Sequence, residues 1–236
     1  MPNARNDRTP AARAAVSPMD DDLGDLPTSR ETPPAARGKG DRLAFLLGFV
    51  RDPSSVGSVV PSSNRLERRM VQNARIAEAR TVVELGPGTG GTTRALLKAM
   101  SPRARLLSIE LDPIFHARLT STVSDQRHFA ECASAERISE LLAAHRLPAP
   151  DAIVSGIPFS AMSTAVGERI AAAVSAALAP GGRFVAYQVT PWVSTYTSPH
   201  LGPPKFEVEL WNIPPMRVFT WIKPPAGTVT SDSQSA

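Results

Sequence analysis

From residue 81 onward the chain alternates short apolar runs with stripes at helical spacing. Val82, Val83 and Leu85 form a run that only Glu84 interrupts, the pattern of a buried parallel strand. Gly86, Gly88, Gly90 and Gly91 follow, and then Ala95, Leu96 and Ala99 at helical spacing. Leu106-Leu107-Ser108-Ile109 reads as a second strand ending at Glu110, and Asp112-Pro113 opens a helix through Phe115 and Leu119. A weaker strand surrounds Phe129, and a helix over 135–144 turns Ile138, Leu141 and Leu142 inward. Asp151 to Val154 is a fourth strand. An alanine-rich helix from Thr164 to Leu178 stops at Pro180-Gly181-Gly182, and Arg183 to Gln188 is a fifth strand. Phe206–Trp211 and Arg217–Ile222 predict an antiparallel pair that closes the sheet. Val189 to Lys205, with Pro191, Pro199, Pro203 and Pro204 beside Trp192 and Tyr196, reads as a long loop of the lid type. Such alternation predicts an α/β domain with helices on both faces of a mostly parallel sheet.

Upstream, Asp41 is a plausible N-cap for DRLAFLLGFVR, a helix apolar over most of its circumference through Leu43, Phe45, Leu46, Leu47, Phe49 and Val50. It is too short to cross a bilayer, so it packs on the core or lies in a lipid interface. Pro61-Ser62-Ser63 caps a second helix with Leu66, Met70 and Ala74 inward. Arg65, Arg68, Arg69 and Arg75 spread over its other side, either as a solvated face or as a surface for phosphate groups. Residues 1–40 balance acidic against basic residues without periodicity and read as a disordered tail. The organisation predicted is therefore a tail (1–40), one domain (41–224) whose first segment (41–80) is helical, and a polar tail (225–236).

Composition narrows this picture a little. A chain of 236 residues holds one domain with a real core, and its net charge of +4 is compatible with anionic partners. A single cysteine, Cys132, excludes an intramolecular disulfide and a cysteine-cluster zinc site, and the four histidines show no ligand spacing, so no metal is expected. With no apolar secretory core near the N-terminus, a cytoplasmic location is the expectation.

The chemistry is concentrated in the glycine segment. Gly86, Gly88 and Gly91 satisfy the GxGxxG of a dinucleotide site, and Glu110 stands about twenty residues on, where such a site keeps its ribose carboxylate. Glu84-x-Gly86-x-Gly88-x-Gly90 equally matches the E/D-x-G-x-G-x-G signature of class I S-adenosylmethionine (SAM) methyltransferases. An acidic residue in an apolar strand end is costly unless something cationic or hydrogen-bonded meets it. A sulfonium cofactor with an amino-acid end meets it, whereas a pyrophosphate is repelled. The spacing alone leaves both cofactors open, and the charge favours SAM.

Several further pieces resemble one family. AALAPGGRFVAY resembles the helix-turn-strand that follows the active site in class I methyltransferases, and FLLGFVRDPSSVGSVVPSS, VVELGPGTG, SGIPFS after the fourth strand, SPHLG and NIPPMRVF look like bacterial class I phospholipid N-methyltransferases, over roughly residues 43–219. The resemblance implies a Rossmann-like, seven-stranded, mostly parallel sheet with an antiparallel C-terminal hairpin, preceded by N-terminal helices. It also implies stepwise methylation of phosphatidylethanolamine toward phosphatidylcholine, with SAM as donor and S-adenosylhomocysteine as product. The partners implied are the phospholipid and an anionic membrane surface, with no nucleic acid, for a monomer at the inner face of the cell membrane.

By the same resemblance, Glu84, Gly86, Pro87, Gly88, Thr89, Gly90, Glu110, Leu111, Glu131, Cys132, Ala133 and Ser155 are the cofactor candidates. The amine is to be aligned by the carbonyls and hydroxyl of Ser155-Gly156-Ile157-Pro158, with Phe159 as an aromatic wall and Tyr187 and Tyr196 as hydroxyl acceptors or cage walls. For Tyr187, packing within the strand is an equal alternative. Phe45, Phe49, Ser62, Ser63, Arg65, Arg68 and Arg69 are the membrane and substrate candidates. Ribosomal RNA adenine dimethyltransferases are the nearest relatives in pattern, but they hold their adenine with an Asn where this chain has Ser155. Relatives also carry Gly-Asp-Ala after the third strand, where Glu131-Cys132-Ala133 stands here, so either Glu131 swings in or backbone groups hold the adenine. Methylation of RNA or of a small amine, and a non-catalytic binding protein, are the competing readings.

Overall fold

The computed structural model describes residues 64–210 and 215–225. The expectations for 1–63, including Phe45, Phe49, Ser62 and Ser63, and those for 211–214 and 226–236 lie outside the described residues.

Parallel strands β1 (Thr81–Leu85), β2 (Arg105–Glu110), β3 (His128–Cys132), β4 (Ala152–Ser155) and β5 (Arg183–Gln188) form the sheet with the antiparallel β6 (Lys205–Glu209) and β7 (Met216–Ile222). The order is β3-β2-β1-β4-β5-β7-β6. β7 therefore inserts between β5 and β6, and the seven-stranded arrangement with an antiparallel C-terminal pair is the one expected.

Central strands are buried on both faces, which is why β1 and β4 read as near-continuous apolar runs. On one face lie α1 (Asn64–Asn73) and α2 (Gly91–Ala99), packing Leu66, Met70, Leu96 and Leu97 against Val82, Leu106, Val154 and Val218. α3 (Pro113–Thr122) packs Phe115 and Leu119 beside them. On the other face, α4 (Ile138–Ala144), α5 (Thr164–Ala177) and α6 (Trp192–Leu201) cover Val83, Ile109, Ile153, Phe184 and Trp221.

Local signals act as their chemistry dictates. The Asp112 carboxylate accepts from the Ile114 and Phe115 N–H groups, with Pro113 at the first helical position. After α5, the Lys223 ammonium donates to the carbonyls of Ser175 and Leu178, a cation at a helix C-terminus.

Two expectations change. Residues 192–201, read as a lid loop, are the helix α6 with Pro199 inside it. Val193, Tyr196 and Leu201 pack into the core, and burial of that stripe outweighs the helix-breaking proline. The helix expected over 135–144 is a short 3-10 turn, Ala135–Arg137, running into α4.

Candidate cofactor and acceptor site

All five parallel strands end at one edge of the sheet, and the glycine loop crosses it between β1 and α2. Gly86, Gly88 and Gly90 have φ of 70°, 55° and 82°, the left-handed region that side chains avoid. These turns lead into the first N–H groups of α2, and Gly90, at the N-cap position, has no side chain to cap the helix. Pro87 and Thr89 fill the loop, and the Pro87 carbonyl accepts from the Gly90 N–H.

Glu84 lies below this loop, 1% exposed. One carboxylate oxygen, Oε2, accepts from the Thr93 and Ser108 hydroxyls, each at 2.7 Å. The other, Oε1, is buried without a partner. Burial pushes this carboxyl up from 4.5 to about 7, against the pull of the two hydroxyls. Ser108 in turn meets His128 Nε2 at 3.0 Å, and burial lowers the His128 imidazole, so among the described residues this hydrogen-bonded shell brings no cation to the carboxylate. A buried acid half-satisfied by hydroxyls suits a cationic ligand and opposes a pyrophosphate. The donor set thus fits SAM and disfavours a dinucleotide.

Glu110 ends β2 at the same edge, and each of its oxygens accepts a backbone N–H: Gly88 at 2.9 Å and Asp112 at 3.0 Å. It braces the glycine loop and keeps further lone pairs for ribose hydroxyls. Leu111 beside it is 57% exposed, while Ala133 is buried with its N–H on the Glu110 carbonyl. Glu131 does not swing toward the loop. Its carboxylate bonds His145 Nε2 at 2.7 Å, and strand alternation turns Cys132 the opposite way, to the exposed surface.

After β4, the Gly156 N–H bonds the Leu85 carbonyl, joining this segment to the glycine loop. Ser155 is fully buried and its hydroxyl accepts the Ile157 N–H at 3.3 Å, so it holds the turn and is not presented to an acceptor. The Ile157 carbonyl receives the Gln188 side-chain amide, and the Pro158 carbonyl receives the Ala161 N–H. Among the described residues, the Gly156 carbonyl alone of these three accepts no hydrogen bond. Phe159 is 0% exposed and belongs to the core, its ring 6.1 Å from that of Tyr196, so it is no pocket wall. Tyr196 likewise packs inward from α6 against Gly167 and forms no cage.

Tyr187 is the aromatic at the site. A Cβ on Gly156 would stand 2.3 Å from its hydroxyl, and Thr92 Oγ1 lies at 3.5 Å. Burial and the neighbouring carboxylates push Tyr187 up to about 12, so it keeps its proton throughout the physiological range.

Sequence patterns missed Glu67, Thr92, Thr93, Ser108 and Gln188. Position at a strand end or in the first turn of α2 could have suggested all but Glu67. The Glu67 carboxylate reaches over the start of α2, 3.8 Å from where a Cβ on Gly91 would stand, and partial burial raises its pKa. Arg65, Arg68 and Arg69 sit on α1 beside the end of β6; Arg69 is bound to Glu207 at 2.7 Å and Glu209 at 3.3 Å. No helix among the described residues is long and apolar enough to cross a membrane.

Comparison with known proteins gives the same outline. The sequence model of the ribosomal RNA adenine dimethylase family matches residues 56–130. An ornithine lipid N-methyltransferase from Singulisphaera acidiphila is 29% identical over 181 residues, 76% of this chain and 94% of that protein. Ribosomal RNA small subunit methyltransferase A from Rhodococcus opacus is 36% identical over 107 residues, 41% of this chain and 34% of that protein, so the chain matches only about a third of its length. Among solved structures, the N-methyltransferase NodS from Bradyrhizobium japonicum, in complex with S-adenosylhomocysteine, superposes with a TM-score of 0.57 at 15% identity, covering 78% of this chain and 98% of that one. The fold is thus the Rossmann-like fold of SAM-dependent methyltransferases, a seven-stranded mixed sheet with an antiparallel C-terminal pair, and the loop at its edge is built for SAM.

Proposed function

We propose that the protein N-methylates the amine headgroup of a membrane aminolipid, with phosphatidylethanolamine as the first acceptor on the way to phosphatidylcholine, and that it works at the membrane surface. The observation that carries this reading is the acceptor edge itself, where Gly156, whose carbonyl accepts no hydrogen bond among the described residues, packs against the neutral Tyr187 hydroxyl within reach of the Glu67 charge. That set of acceptors suits an ammonium group. An adenine pinch needs an asparagine and a stacking ring, and Ser155 and Phe159 are buried instead. The likeness to an ornithine lipid N-methyltransferase along nearly all of that protein favours lipid over RNA and makes ornithine lipid the second acceptor to test. Methylation of ribosomal adenine is the second reading, favoured by the family match over 56–130.

Bound SAM supplies an electrophilic methyl group. The chain's part is to orient and deprotonate the amine, whose ordinary pKa is near 10. A desolvated mouth close to a cationic cofactor lowers that value without a strong base. Tyr187, holding its own proton, is no base near neutrality; its oxygen and the Gly156 carbonyl accept N–H bonds and aim the lone pair. The departing proton leaves through water toward Glu67, the carboxylate at the mouth.

Lipid mass spectrometry tests the acceptor. Expressed in a bacterium that makes phosphatidylethanolamine but no methylated lipids, the protein is expected to yield methylated headgroups, which disappear with Gly88→Val. An unchanged lipid profile from a folded, SAM-binding protein overturns the lipid reading, and methyl label in ribosomal RNA instead establishes the second one.

Cys132 stands where the resembling enzymes carry an aspartate for the adenine. Cys132→Asp is expected to tighten SAM binding by about three- to tenfold, the worth of one charge-assisted hydrogen bond at a partly exposed site. Calorimetry measures it, and no gain means that the adenine is held by backbone groups alone.

A further inference from the structure

Among the described residues, six of the eight large apolar side chains left in solvent gather at one edge of this fold, while Phe206 lies in mid-strand on β6 and Ile222 at the opposite edge. Leu111 and Ile114 (57% and 64% exposed) follow the end of β2, and Val189 and Trp192 (44% and 49%) follow the end of β5. Val208 and Leu210 (41% and 72%) stand where β6 ends. Register brings that last pair level with the others, since Arg217 pairs with both Gln188 and Val208. The edge is the one that carries the glycine loop and Gly156. Exposed apolar residues scattered singly need no explanation, but a rim of them around one mouth does.

Cations interleave with this rim. Arg65, Arg68 and Arg69 line a recess on α1 together with Val208, Glu209 and Leu210. Arg69 is held by Glu207 and Glu209, so it fastens β6 to α1, while Arg68 is exposed. The Arg217 guanidinium donates to the Val189 carbonyl and ties the β5 and β7 sides of the rim together.

We infer that this rim is the docking surface for an anionic phospholipid bilayer, with Ile114, Trp192 and Leu210 entering the headgroup layer and Arg68 meeting lipid phosphates. Apolar insertion flanked by cations is the chemistry that such an interface selects. The inference deepens the aminolipid reading and rests on it: with the mouth turned to the membrane, an amine reaches Gly156 while its acyl chains stay in the bilayer.

Trp192 is a built-in reporter. The chain has three tryptophans, of which Trp221 is buried in the core. In the full chain carrying Trp211→Phe, vesicles of phosphatidylglycerol and phosphatidylethanolamine with brominated acyl chains are expected to shift Trp192 emission to the blue and quench it. Adding Trp192→Phe leaves only the unquenched signal of Trp221. Ile114→Glu is expected to weaken vesicle binding at least tenfold and Arg68→Glu about threefold, with SAM affinity unchanged. Substituting Arg69 would loosen β6 as well and is the poorer test.

Vesicle binding without any change at Trp192 overturns the inference, because another surface then docks. Trp192 already shielded before lipid is added, and unmoved by it, also overturns it and points to cover by the chain's own apolar stretch 43–50 or by a second copy. Methylated lipids produced at full rate by both rim variants leave the aminolipid reading standing and remove the docking surface. Quenching at Trp192 without any methylated lipid does the reverse.

Discussion

Glu84→Gln is expected to unfold at a higher temperature than the native protein at pH 8, while losing SAM. The folded protein holds Glu84 at about 7 against an ordinary 4.5, so folding at pH 8 confines a charge that water would solvate. The raised value means stability that is fully present below about pH 4.5, where the group is protonated in both states, and that is lost as pH climbs through 7. A rise from 4.5 to about 7 corresponds to roughly 3 kcal/mol. Glutamine is neutral throughout and keeps an acceptor for Thr93 and Ser108, but leaves an amide where Oε1 had no partner. A net gain of about 1–3 kcal/mol at pH 8, shrinking to under about 1 kcal/mol near pH 5, is the expectation.

SAM binding moves the other way. Removing the charge should cost roughly 10- to 100-fold in affinity at pH 8, and native affinity should fall as pH drops below 7 and Glu84 takes up a proton. Denaturant unfolding at pH 5 and 8 with calorimetry of SAM decides the matter. A stability difference that ignores pH, or a glutamine variant that binds SAM normally, would show that the carboxylate is not kept for the cofactor. Its instability in the free fold is the physical sign that it serves something other than folding.

Sequence patterns carried the sheet because its strands are buried on both faces and read as apolar runs, as in Val82 to Leu85. Glu84 and the four glycines marked the cofactor edge because neither belongs in a packed strand-to-helix junction without a ligand. What they could not carry was direction. Ser155, Phe159 and Tyr196 are the right chemical types near the right strand, yet packing turned each inward, whereas Tyr187, one strand over, reached Gly156. Residues 192–201 became a helix through the burial of Val193, Tyr196 and Leu201, a stripe hidden among prolines and polar residues. Glu67 was illegible for a similar reason. Nothing local to α1 says that a helix 17 residues before Glu84 leans over the start of α2.

Gly156→Ala is expected to lower the turnover of methyl transfer by about 100-fold with the fold intact, the cost of moving an aligning group by an ångström or so. The cause is space, not backbone strain. A Cβ there would meet Tyr187 Oη at 2.3 Å, Cζ at 2.9 Å and the Gly86 carbonyl oxygen at 3.1 Å. The Gly156 N–H is tied to Leu85 and the Ile157 carbonyl to Gln188, so the segment cannot back away and the tyrosine must yield. Overpacking of this kind costs about 1–3 kcal/mol of stability.

Tyr187→Phe separates packing from alignment. Phenylalanine keeps the ring and removes the oxygen, and turnover about 10- to 100-fold lower is expected if the hydroxyl aims the amine. The double variant is the sharper measurement. If alanine acts by displacing the hydroxyl, Gly156→Ala in the Tyr187→Phe background does little further harm and recovers part of the lost stability. Effects that multiply would mean that the two residues act independently, and a Tyr187→Phe variant of native turnover would return that tyrosine to the strand as packing.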